Sequence, residues 1–291
     1  IAKKYMLQSE HPLILGLTAS PGGTQEKIKE ICDNLFIKSV EIRSEVDEDV
    51  EPYVKDIERN FAYVEFPDEF KRIKELLQEK LKDDIYWLKE KHYLHTYKPS
   101  KRMLIAVQKR ASAAYSRNKK SFSALWALLR SAEAIKIDHA IELLETQGVP
   151  FVYDYFKKME KSNKRTEQRL LKDRRIMEAR EVVQSLYEKG VEHPKLKKLK
   201  GMVEDFVKSS PDVKVIIFAN YRATVDRIHE LMEDSGIKSE ILIGQTMKKG
   251  KGLSQKEQLS VLRRFRDGEF NVLIGTSVSE EGIDVPSVDY A

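Results

Sequence analysis

A run of small and hydroxyl side chains behind a short apolar stretch is the clearest candidate for phosphate chemistry in this chain. Residues 269–289 read Glu-Phe-Asn-Val-Leu-Ile-Gly-Thr-Ser-Val-Ser-Glu-Glu-Gly-Ile-Asp-Val-Pro-Ser-Val-Asp. Val272, Leu273 and Ile274 lack helical spacing, which predicts a buried parallel strand. Gly275, Thr276 and Ser277 follow it, and Pro286 stops any helix nearby. Small residues at the carboxyl ends of parallel strands are where open α/β sheets bind phosphates and nucleotides. A strand–loop–helix joint without a ligand is the alternative. Glu280 and Glu281 invite a paired-carboxylate mechanism, but adjacent helical residues do not face each other. They suit the positive end of a helix dipole instead.

A second chemistry is written in charge. From Lys91 to Ala132 there are ten basic residues and no acidic one. Lys101, Arg102, Lys109, Arg110, Arg117, Lys119 and Lys120 form its centre, with Tyr93, Tyr97, Tyr115, Phe122 and Trp126 interleaved. Such a stretch suits a polyanion, because each neutralised phosphate releases counterions. The aromatics suit stacking on unpaired bases. Tyr93, Tyr97 and Tyr115 are the stacking candidates, whereas the i,i+4 spacing of Phe122 and Trp126 predicts core. A merely solvated basic face is the alternative. Residues 157–180 carry ten bases against four acids, a mixture typical of a solvated helix. Residues 41–51 hold six acids and one base without calcium-loop spacing, which predicts a solvated loop.

Three kinds of element must hold these residues. Residues 1–64 carry apolar runs at Leu13–Leu17, Ile37–Ile42 and Phe61–Phe66 that predict strands. Between the first two, Thr24 predicts the cap of a helix from Gln25 to about Asn34. Residues 65–193 show helical periodicity. Phe70, Ile73, Leu77, Leu81, Ile85 and Leu88 make one stripe, and Ala124 to Leu144 another, stopped by Gly148 and Pro150. A long pattern from about Arg165 to Lys189 makes a third. His139 lies within the second stripe and is read as satisfied or partly exposed rather than metal-bound. Residues 194–291 return to α/β: an entry helix at Lys195–Val207, strands at Val213–Phe218, Ile241–Ile243 and Val272–Ile274, and helices opening near Asn220 and Gln255.

The motifs Gly16-Leu-Thr-Ala-Ser-Pro21, Gly252-Leu-Ser-Gln-Lys-Glu-Gln258, Arg264-Phe-Arg-Asp-Gly-Glu-Phe-Asn-Val-Leu273 and Thr276-Ser-Val-Ser-Glu-Glu-Gly-Ile-Asp-Val-Pro-Ser-Val-Asp289 occur in this order. Together they resemble conserved motifs III, IV and V of superfamily-2 helicases. The resemblance is to the archaeal Hef / Fanconi anaemia group M branch, with RIG-I-like and Dicer helicases as cousins. It implies an α/β chain: parts of two RecA-like parallel-sheet domains with an all-helical insertion between them.

The resemblance also assigns roles. Thr18, Ala19 and Ser20 would couple nucleotide state to domain closure. Gly244, Gln245, Thr276 and Ser277 would follow the tracked strand, with Arg222 and Thr224 as a phosphate site at a helix start. Thr224 as a simple cap stays open. Gly282 would let the backbone approach closely, and Asp284 would accept from the ATP ribose. The lysines and arginines of the insertion would grip forked or branched DNA through its backbone. ATP and Mg²⁺ are the implied cofactors. Replication or repair proteins such as a sliding clamp are further candidate partners. No catalytic or metal-ligating residue is assigned within the chain, because neither a G-x-x-x-x-G-K-[ST] loop nor a DEAH-type motif occurs. These are expected before Ile1, and the arginine-bearing motif VI after Ala291, so the chain alone is expected to be without ATPase activity. Two alternatives remain: a non-catalytic nucleic-acid- or protein-binding module, and an RNA-directed relative of RIG-I or Dicer.

Composition agrees with a globular, nucleic-acid-directed protein. The chain has 291 residues, 34% of them charged, and a net charge of +5. Cys32 is its single cysteine, which excludes an internal disulfide framework and fits a reducing compartment, cytoplasmic or nuclear. No apolar run reaches the ~18 residues of a membrane span.

Overall fold

The computed structural model describes residues 1–18, 24–44, 47–53, 58–244, 253–276 and 288–291. The chain divides into two compact units, residues 1–62 and 63–291.

In the first unit, α1 (Ala2–Gln8) precedes α2 (Gln25–Leu35). Thr24 caps α2 as its side chain predicts, accepting from the Lys27 amide at 3.3 Å. Phe36 ends the helix in the left-handed region, with φ at 57°. The strands expected at Leu13–Leu17, Ile37–Ile42 and Phe61–Phe66 form no hydrogen-bonded ladder among the described residues. A parallel strand exists only through its neighbours, and apolar runs cannot supply those by themselves. Leu13, Leu15 and Leu17 accordingly lie exposed.

The second unit begins with a helical bundle. Its members are α3 (Asp68–Glu90), α4 (Lys101–Arg117), α5 (Phe122–Thr146), α6 (Val149–Glu160), α7 (Arg165–Leu170) and α8 (Arg174–Glu188). The stripe predicted on α3 is the buried one: Phe70, Ile73 and Leu77 pack with Ile137, Leu144, Phe156 and Val183. Ile85 and Leu88 pack with Leu104, Val107 and Ala127 of the next layer. Full burial of each large side chain contributes at most about 1.5–3 kcal/mol. Helix α5 is the centre. It packs against α3, α4, α6 and α7 and is apolar on most sides for that reason.

Three sequence expectations change here. Helix α4 was not legible as a helix beneath its charge. Pro150 does not merely stop α5; it lies in the first turn of α6, where its missing N–H has no partner to lose. The long pattern at Arg165–Lys189 is two helices. Asp173 breaks it by accepting from the Arg175 amide at 3.0 Å and capping α8.

Beyond the bundle come α9 (Pro194–Ser209), β1 (Val215–Ala219), α10 (Arg222–Asp234), β2 (Ser239–Leu242), α11 (Gln255–Arg266) and β3 (Val272–Thr276). All three strands are parallel, in the order β1-β3-β2. The period of two sorts their side chains. Val215, Ile217, Val272 and Ile274 join Val203, Val225 and Ile228 of α9 and α10 on one face. Ile216 and Leu273 join Val261 and Phe265 of α11 on the other. Both faces are covered, which is why these strands read as continuous apolar runs.

Candidate nucleic-acid interface

Helix α4 sorts its charge by geometry. Ser100 caps it, accepting from the Met103 amide at 3.3 Å. Leu104, Val107 and Ala111 are buried against the bundle. At 100° per residue, Arg102, Lys109 and Arg117 fall within about 80° of arc on the opposite side. All three are exposed and make no ion pair among the described residues. Lys119 and Lys120, in the turn before α5, are exposed in the same way. Two other candidates are already engaged. Lys101 Nζ meets Glu142 Oε2 at 2.8 Å, and Arg110 donates to the Tyr93 carbonyl at 3.1 Å. The hydrogen bonds from Lys101 and then His139 hold the Glu142 carboxyl below its usual range. His139, edge-on to Tyr155, is partly exposed, as its place on α5 predicts.

The aromatic assignments are partly reversed. Phe122 and Trp126, expected in the core, are 76% and 41% exposed. Their spacing puts them on one face of α5, where Arg169 of α7 reaches the Trp126 ring and leaves it partly exposed. Tyr93 stacks on Trp87 and shares a hydrogen bond with Ser123, so it is a packing residue. Tyr97 is exposed, with Lys89 Nζ 3.3 Å from its ring centroid and Tyr86 stacked beside it.

Beneath this surface lies a charge cluster that sequence reading missed. Glu133 and Asp84 are fully buried, and Lys80 bridges them, 2.9 Å from Glu133 Oε2. Arg130 Nη1 reaches Asp84 Oδ1 at 2.8 Å, and Arg169 Nε reaches Glu133 Oε1 at 3.1 Å. Burial pushes the Asp84 carboxyl up to about 6, against the opposing pull of Lys80. The i,i+4 pair Lys80/Asp84 was the sequence signal for it. Much of the second basic stretch is likewise spent internally: Arg169 on Glu133, Arg175 on Asp83 and Asp173, Arg180 on Glu160.

The second cluster of candidates lies at the carboxyl edge of the sheet. Pairing of Ala219 with Thr276 and of Leu242 with Gly275 brings the three strand ends level. Thr276, Gly244 and the first turn of α10, with Arg222 and Thr224, therefore share one edge. Thr224 is not the cap, which is Tyr221; its hydroxyl donates to Gln147 Oε1 at the end of α5. Arg222 Nε stands 4.0 Å from Asp226 Oδ2. Gln258 donates to the carbonyls of Ile243 at 3.0 Å and Leu253 at 3.3 Å, tying residues on either side of 245–252. Ala19, Ser20, Gln245, Ser277, Gly282 and Asp284 lie outside the described residues. Gly282 and Asp284, the two residues assigned to the nucleotide, are among these. Among the described residues no group of three His, Cys, Asp or Glu could hold a metal ion.

The bundle and the sheet meet at His193. Its Nδ1 accepts from the Lys195 amide and its Nε2 donates to the Glu145 carbonyl, both at 3.1 Å. Burial, then the Lys195 charge, holds its pKa below the usual range, so the neutral ring fits both bonds. Phe66 and Phe70 pack edge-on against it. Arg227 and Glu192 pair nearby.

Residues 194–291 match the family described as "Helicase conserved C-terminal domain", and residues 69–191 match "Putative ATP-dependent RNA helicase, helical bundle". The helicase domain of Hef from Pyrococcus furiosus has a TM-score of 0.74 to this chain at 37% identity, covering 99% of this chain and 60% of that one. In sequence and fold the chain is similar to the Hef/FANCM-like superfamily-2 helicases. Within this family, a "Putative ATP-dependent RNA helicase" of Methanocaldococcus jannaschii is 40% identical over 296 residues, covering 100% of this chain and 36% of the relative. The "DEAD-box ATP-dependent RNA helicase FANCM" of Arabidopsis thaliana is 34% identical, covering 95% and 21%. The "ATP-dependent DNA helicase MPH1" of Pyricularia oryzae is 29% identical, covering 95% and 27%. The chain thus spans about a third or less of these curated relatives. Its Hef-like architecture is a helicase C-terminal domain with a parallel sheet, joined to a helical bundle. No helix among the described residues is long and apolar enough to cross a membrane.

Proposed function

We propose that the intact protein is an ATP-dependent DNA helicase or translocase that binds and remodels forked or branched DNA in replication-fork repair. The observation that carries this is the cationic face of α4, continued by Lys119 and Lys120. Three exposed cations, Arg102, Lys109 and Arg117, stand opposite the helix's buried stripe and two more follow in the next turn, all without ion pairs among the described residues. Arginines needed for packing are paired; these are left for a polyanion, and phosphate contacts position without reading sequence. In this reading the sheet is half of a pair of RecA-like domains that close on ATP and Mg²⁺. Thr276, Gly244 and Arg222, level at one sheet edge, lie along the tracked strand. The bundle selects branch geometry. The chain alone turns over no ATP.

The test is ATP-driven unwinding by the intact protein on a labelled fork, against Arg102→Gln/Lys109→Gln. Unwinding that falls with fork affinity, while ATP hydrolysis without DNA persists, supports the reading. Unchanged unwinding overturns the assignment of α4. An RNA-directed reading is favoured by the names of the M. jannaschii relative and of the matching bundle family. Matched RNA forks in the same assay decide between them.

A further inference from the structure

We propose that Phe122 and Trp126 form a stacking platform for an unpaired DNA base at the branch point. This rests on the fork-binding reading and deepens it by naming where the base goes.

The two side chains are one helical turn apart on α5 and exposed, at 76% and 41%, whereas Ala124 and Ala127 beside them are buried. Burying both rings would stabilise the bundle, yet both stay exposed. Trp126 is nevertheless held. The Arg169 guanidinium lies 4.3 Å from its ring centroid and that of Arg130 lies 5.9 Å away. Both cations are anchored in turn: Arg169 on the fully buried Glu133, Arg130 on the fully buried Asp84. An exposed indole resting on two fixed guanidinium groups is oriented before any ligand arrives, and an ordered ring loses little entropy on stacking.

The surroundings select the occupant. Lys119 and Lys120, three and two residues before Phe122, are exposed and are unpaired among the described residues. A second copy of this chain would bring the same cations to the contact and be repelled. An unpaired nucleotide offers the complementary pair, a flat π-face for the rings and a phosphate for the lysines. A fully paired duplex offers only the phosphate.

The experiment uses the intact protein and a DNA fork with 2-aminopurine as the first unpaired base. A fork carrying the reporter within a duplex arm, and a blunt duplex of equal length, serve as controls. Binding is expected to change the fluorescence of the unpaired reporter only. Trp126→Ala abolishes that change and weakens fork binding about tenfold while duplex affinity holds; Trp126→Tyr retains most of both. Phe122→Ala, a change at the more exposed position, acts in the same direction and leaves the thermal midpoint in place. If both alanine variants bind the fork as the parent does, with the reporter signal intact, the platform falls and the fork reading stands. If the parent binds neither DNA, both readings fall. Self-association that Phe122→Ala abolishes, with fork binding untouched, makes the patch a protein contact and overturns the proposal.

Discussion

The Thr224 hydroxyl donates to the side-chain carbonyl of Gln147, joining the first turn of α10 to the end of α5 across 77 residues of sequence. The bond ties the helix that follows β1 to the central helix of the bundle. Thr224→Val is expected to lower the stability of this unit by about 1 kcal/mol, the usual worth of one such bond. Adding Gln147→Leu should lower it by less than the sum of the two single changes. Urea unfolding of the four proteins measures the coupling, and strict additivity would show that the bond contributes nothing.

Glu133 is the anchor of the buried charges. Glu133→Ala leaves Lys80 short of one carboxylate and Arg169 unpaired, and should destabilise the bundle by about 3–5 kcal/mol. Urea melts followed by helical circular dichroism test this. A loss below 1 kcal/mol would mean the site relaxes by admitting water.

Asp84 gives the stability a pH signature. Its carboxyl, raised by burial to about 6, binds a proton in the folded state that the unfolded chain releases near its ordinary value. Between roughly pH 4 and 6 the folded state therefore holds more protons, and the contribution of Asp84 to stability falls as pH rises through that window. Above it, the contribution is flat. The thermal midpoint of the protein minus that of Asp84→Asn should decline from pH 4 to 6 and then level off. A difference independent of pH would place the Asp84 pKa at its unfolded value.

Gly148 links α5 to α6 at φ 88°, and a β-carbon there would lie 3.0 Å from His193 Cβ. Gly148→Ala should therefore destabilise by about 1 kcal/mol or more, through left-handed strain and the displaced imidazole. Differential scanning calorimetry checks it, with Gly190→Ala as control. That glycine also has positive φ but open space around its β-position, so the difference between the two reports the His193 contact.

Lys119 and Lys120 give a salt signature. If each neutralises one phosphate, the slope of log affinity against log salt should become shallower by about one per lysine changed to glutamine. Fork and blunt duplex should respond alike, in contrast with Trp126→Ala. An unchanged slope would remove both lysines from the interface.

What the sequence determined on its own is whatever its own periodicity and local caps decide. The strands ending near Phe218, Leu242 and Ile274 were legible because both faces are covered and the runs are continuous. The α3 stripe was legible from its helical spacing, and the Thr24 cap and the helix opening near Gln255 because their signals are local. The basic run of residues 91–132 was equally plain. Only the tertiary structure decided which of those cations stay unpaired, that Phe122 and Trp126 face outward, and that Lys80, Asp84, Glu133, Arg130 and Arg169 meet beneath them. It also gave Thr224 a partner in Gln147 and left Leu13–Leu17 without a ladder among the described residues. Each of these depends on what a distant segment places over a given face. A side chain's spacing fixes the direction in which it points, while its burial and its partner are fixed by the element that arrives there.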